Sequence, residues 1–76
     1  MRLHLERVAP EKHMARFYTV LIAPTLLGEW SLIREWGRIG QGGTVREMAY
    51  VDEAAATAAA LRIVAVKQRR GYRHRG

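Results

Sequence analysis

The residues best suited to chemistry are an indole and a guanidinium two positions apart, Trp36 and Arg38, separated by Gly37 in the run Glu35-Trp36-Gly37-Arg38-Ile39-Gly40. On a β-strand, side chains two apart share a face, so Trp36 and Arg38 would stand together. Gly37 presents nothing on the other face, where another backbone or a ligand could come close. An indole beside a guanidinium suits stacking on a sugar or base while gripping a phosphate. The plainer alternative is a buried Trp at a strand end beside a snorkelling Arg.

Other reactive groupings are missing. Ser31 is the one serine, and no histidine and acid are placed to activate it. His4, His13 and His74 lack metal-site spacing and read as surface histidines. Gly40-Gln41-Gly42-Gly43 lacks the Lys-Ser/Thr of a phosphate-cradling loop and opens no helix, so it reads as a hairpin turn. Glu35, Glu47, Asp52 and Glu53 are better explained as strand-face partners and helix-start residues than as an acid/base pair. The expectation is a non-enzymatic protein with no cofactor, metal or small-molecule substrate.

Charge is more informative. Thirteen Lys plus Arg against seven Asp plus Glu give +6 and a pI near 10.8, which favours a polyanionic partner. Eleven of the thirteen are arginine, the better fork for phosphate oxygens. Arg16, Arg34, Arg38 and Arg46 fall on expected strands; Lys67, Arg69, Arg70, Arg73 and Arg75 cluster at the chain's end. If they converge, they form a phosphate-binding patch with Trp36 and Tyr72 as aromatic platforms. If they do not, they are a solubility coat. The longest apolar stretch, Ala54 to Val66, is broken by Thr57 and Arg62 and is too short for a bilayer, and no apolar h-region follows Met1-Arg2. A cytoplasmic location without membrane contact is the expectation.

The elements that must position these groups fit one domain of 76 residues, and 49% apolar content argues against disorder. Leu3 to Val8 reads as a first, edge strand, and Ala9 to His13 as a turn. Arg16 to Ala23 is the clearest strand, dense enough in apolar residues to suggest cover on both faces. Trp30 to Ile39 follows antiparallel to it, and Val45 to Val51 closes the sheet with its buried face undecided. Asp52 is a good N-cap for a helix from about Glu53 to Arg69, and Gly71 a natural residue just past its end. Ala54, Ala58, Leu61, Val64 and Ala65 form the expected buried stripe. Tyr72 to Gly76 reads as a frayed basic tail. The architecture is α+β: a small antiparallel sheet of about four strands with one C-terminal helix on a face.

Three blocks, Arg16-Phe17-Tyr18, Trp30 through Gly40, and Lys67-Gln68-Arg69-Arg70-Gly71-Tyr72, together resemble the WGR domain family, over a core of about residues 13–72. The resemblance implies the fold just described. It also implies the DNA-break binding for which poly(ADP-ribose) polymerases use this domain. There the motif Trp packs on the sugar of a terminal nucleotide, and the motif Arg helps organise the DNA and neighbouring domains. Groups before the Phe/Tyr-Tyr pair, with the Tyr after the helix, lie near the terminal phosphate. Carried onto this chain, the nucleic-acid-binding residues are Arg16, Trp36, Arg38, Lys67, Arg70 and Tyr72, with Gly37 and Gly40 structural. The chain is similar to short bacterial members that carry the domain alone. His13 and Ala15 stand where relatives often carry Asn, which alters the polar contacts expected near the phosphate. The leading expectation is a module for DNA ends or nicks. The alternative is an adaptor whose Trp-Gly-Arg face docks a partner protein, since Trp and Arg also anchor protein interfaces.

Overall fold

The computed structural model describes residues 1–75. Strands β1 (Arg2–Ala9), β2 (Met14–Pro24), β3 (Trp30–Arg38) and β4 (Thr44–Tyr50) precede the helix α1 (Glu53–Arg69), and a two-residue strand β5 (Arg73–His74) follows it. The sheet has five strands in the order β4-β3-β2-β1-β5, and every neighbouring pair is antiparallel. The fold is therefore α+β, with five strands rather than four.

The connections follow from local chemistry. Between β1 and β2, Pro10 begins a single 3-10 turn over Pro10–Lys12 that ends on His13 in the left-handed region. Thr25 holds the β2–β3 connection, its Oγ1 accepting from the amides of Leu27 and Glu29 at 3.3 and 3.2 Å. Asp52 caps α1, its Oδ1 accepting from the Ala55 amide at 2.8 Å. At the other end Gly71 has φ +96°, the Gly71 amide reaches the Gln68 carbonyl and the Tyr72 amide reaches Lys67. That pair of bonds is a Schellman stop, which turns the chain back toward β1.

The tail is not frayed at this point: β5 pairs with β1, placing His74 opposite Leu5, and the Arg75 amide donates to the His4 carbonyl at 2.9 Å. Two residues carry no periodicity, so only the position of β1 shows that they are a strand. β1 is consequently not the outermost strand: β5 pairs with it at Leu5 and Glu6, and apart from the Arg75 bond to His4 the rest of its outer side is an edge among the described residues.

The core lies between α1 and one sheet face. Leu5, Tyr18, Val20, Ile22 and Leu32 from the strands meet Ala56, Ala59, Ala60 and Val64 of the helix. The expected stripe has the wrong phase: Ala54, Ala58 and Leu61 are exposed, and of that set Val64 alone is fully buried. A helix with alanine on every side gives little contrast from which phase could be read. Its small side chains still let it lie close on β2 and β3. Among the described residues no helix or strand covers the far face of the sheet, and Phe17 and Leu21 are half-buried there rather than enclosed. On β4 the alternation places Arg46, Met48 and Tyr50 on the helix face.

Candidate nucleic-acid interface

Strand register builds the site. Arg7 pairs with Arg16, and Arg16 with Arg38, so three arginines form a row across β1, β2 and β3 on the helix-bearing face. The next row on that face holds Leu5, Tyr18 and Trp36, and the one after it Leu3, Val20, Arg34 and Arg46. An aromatic row thus runs between two cationic ones. Like charges directly opposite on adjacent strands are unfavourable unless something neutralises them. Among the described residues the ion pairs are His4–Glu6 at 3.0 Å and Arg75–Glu6 at 3.9 Å, and neither involves these rows.

Arg16, Trp36, Gly37, Arg38 and Tyr72 together line one cleft of about 350 Å³. Four of the six residues expected to bind nucleic acid are thereby brought to one place. Tyr18 supports the cleft from behind: its ring stacks on Trp36 at 5.6 Å and 14°, and Tyr72 meets it edge-on at 6.4 Å. Trp36 is half-buried: it packs against the core while forming part of the cleft wall. Gly71 lets Arg7 lie against the same corner, because a Cβ there would come within 3.2 Å of the Arg7 Nε.

Lys67 and Arg70 do not line this cleft. The Lys67 Nζ lies 4.7 Å above the Tyr18 ring and 5.7 Å from the Tyr72 ring, in the neighbouring groove between α1 and the sheet. Burial, then the charges of Arg70 and Arg34, push its pKa below the ordinary 10.5. Arg70 is exposed at the helix C-cap.

Gly37 stands where a neighbouring backbone comes close. The hairpin loop folds across the open face, so a Cβ on Gly37 would lie 3.1 Å from the Gly43 Cα. Gly43 is tighter still, with a Cβ meeting the Trp36 carbonyl oxygen at 2.5 Å, and Glu35 accepts from its amide at 3.3 Å. Gly40 turns the hairpin with φ +87° and faces open space. Sequence reasoning missed Arg7 as a member of the site, and Gly43 as the tightest glycine. Arg7 sits in an alternating strand pattern, but only the β1–β2 register aligns it with Arg16.

His4 is not simply a surface histidine: its Nδ1 lies 2.9 Å from the Thr19 Oγ1 and its Nε2 3.0 Å from Glu6, on the open face. Ser31 is buried and donates its hydroxyl to Glu47. Among the described residues no group of three His, Asp or Glu side chains could hold a metal ion. Nor is any helix there long and apolar enough to cross a membrane.

The WGR domain family model matches residues 1–76. An uncharacterized protein of Sinorhizobium fredii, y4dW, is 40% identical over 74 residues. That alignment covers 97% of this chain and 36% of the relative, so the chain spans about a third of the relative's length. No solved structure matches the chain with comparable significance. The chain belongs to the WGR domain family, a binding domain rather than a catalytic one, and membership points to nucleic acid as ligand in general terms.

Proposed function

We propose that this single domain is a non-enzymatic, cytoplasmic DNA-binding module that prefers ends or nicks to continuous duplex. In this reading the sugar of a terminal nucleotide rests against Trp36 and Tyr72, while Arg16 and Arg38, joined by Arg7, hold its phosphate. Lys67 and Arg70 add charge at the rim. The observation that carries the reading is the Arg7–Arg16–Arg38 row, which no acid among the described residues neutralises, abutting the aromatic row. A phosphate placed there supplies the missing counter-charge and accepts charge-assisted hydrogen bonds from planar donors. An exposed sugar or base end is what an aromatic wall can reach only where the duplex is interrupted.

The test is a titration of labelled nicked, blunt-ended and circular duplexes at two salt concentrations. Nicked and blunt DNA should bind more tightly than the circle. If two to four phosphates are neutralised, log K against log salt should slope by about −2 to −4. A flat salt response would remove nucleic acid as the partner and favour a docked protein. Equal affinity for all three duplexes would remove the preference for ends.

A further inference from the structure

A second cationic groove adjoins the cleft, and of its lining residues only Lys67 enters the function proposed above. Arg34, Arg62 and Lys67 line it together with Tyr18, Ile63 and Val66; it is shallow and open, with a volume of about 270 Å³. Arg34 is held in place: its guanidinium carbon lies 5.5 Å from the Trp36 ring centroid, and its Nη1 donates to the Tyr18 hydroxyl at 3.4 Å. Arg46 stands directly opposite Arg34 on β4. No carboxylate among the described residues pairs with any of the four. Along β3, Arg34 and Arg38 stand on either side of Trp36, and the Arg34 guanidinium leans in over its ring.

We infer that this groove is a second phosphate subsite, so that the ligand is a nucleotide held by both of its flanking phosphates, with its sugar or base against Trp36. The inference rests on the proposed nucleic-acid function and specifies the ligand unit: a nucleoside 3′,5′-bisphosphate, or the equivalent unit within a strand. The arginine row takes one phosphate. Arg34, Arg62 and Lys67 take the other, and the apolar wall excludes water from one side of the ion pairs, which strengthens them.

Nitrogen-15 NMR of the arginine side chains, with thymidine 3′,5′-bisphosphate and each thymidine monophosphate as probes, tests this. The bisphosphate should shift the Arg34 and Arg62 resonances together with those of Arg16 and Arg38, and bind on the order of tenfold more tightly than either monophosphate. Arg62 is exposed and its side chain makes no hydrogen bond or ion pair among the described residues, so Arg62→Gln should fold normally. It should reduce the salt slope for nicked DNA by about 1, a change that a purely structural role would not produce. If Arg16 and Arg38 respond while Arg34 and Arg62 stay silent, the second subsite is wrong and the end-binding reading stands. If neither set responds and nicked DNA does not bind, both are wrong. A tetraglutamate peptide shifting Arg34 and Arg62 as strongly as the bisphosphate would overturn the inference in favour of an acidic protein segment.

Discussion

The two faces of the sheet carry the same strands and opposite chemistry. On the helix-bearing face every charged strand residue is arginine: Arg7, Arg16, Arg34, Arg38 and Arg46. On the open face stand Arg2, His4, Glu6, Glu35, Glu47 and Arg73. The open-face acids are all occupied. Glu6 is hydrogen-bonded to His4 and ion-paired with Arg75, Glu35 accepts from the Gly43 amide, and Glu47 from the Ser31 hydroxyl. The arginines of the other face find no acid among the described residues. A polar group satisfied from within supports the fold, whereas a row of like charges left unsatisfied is a demand for something outside it. Residue type and partnership therefore divide the two faces along the same line.

The largest effect should come from Trp36. Trp36→Ala should cost tenfold or more in affinity for a DNA end, since stacking on one nucleotide contributes about 1–3 kcal/mol. Trp36→Phe, which keeps a ring on Tyr18, should lose less. Affinities for nicked and circular DNA, taken well below each variant's melting temperature, check this. Unchanged end affinity in Trp36→Ala would dissolve the contrast between the faces.

Gly37→Val attacks the open face alone. Its side chain would press on Gly43 and Phe17, and should destabilise by about 1–3 kcal/mol through overpacking. Thermal melting reads the effect; an unchanged melting temperature would show that the hairpin loop yields freely.

Arg38→Gln should separate stability from binding. It removes one member of a like-charged row, so the free domain should keep its stability or gain about 0.2–1 kcal/mol. Affinity for ends should fall by about tenfold, because a charged hydrogen bond to phosphate contributes about 1.5–3 kcal/mol. Denaturant melts and DNA titration of the same sample give both numbers, and a destabilised Arg38→Gln would mean that the row is neutralised from within.

The smallest effect is on pH dependence. Lys67 has its pKa lowered by burial, Arg70 and Arg34, so it sheds its proton at a lower pH than the ordinary 10.5. Between the folded and unfolded values the unfolded chain holds more protons, so stability rises with pH there. DNA affinity should fall over the same interval as the ammonium is lost. Melting and binding across the alkaline range, with Lys67→Gln as reference, should show these opposite signs, and parallel trends would contradict them.

Much of the fold could be read in advance because its signals are local. The helix limits Glu53 and Arg69 follow from the Asp52 cap and Gly71, and β2 and β3 from dense β-branched and aromatic runs. Trp36 and Arg38 share a face through simple alternation. What escaped depends on partners distant in sequence. Arg7 joins the site only through register with Arg16, the phase of α1 is hidden by alanine on all sides, and β5 exists only because β1 offers it an edge.

That last strand has a consequence in time. Leu5 and His74 join the first strand to the last, the widest sequence separation in the sheet, whereas each neighbouring pair from β1 to β4 is a local hairpin. Contacts that close the longest loops tend to form late, and a two-residue strand is held by little. Tyr72 leads directly into that strand, so the Tyr72 side of the cleft is expected to form later and open more readily than the β2–β3 side. An occupied cleft should therefore slow hydrogen exchange most at the Arg75 amide, which is bonded to the His4 carbonyl just beyond Tyr72.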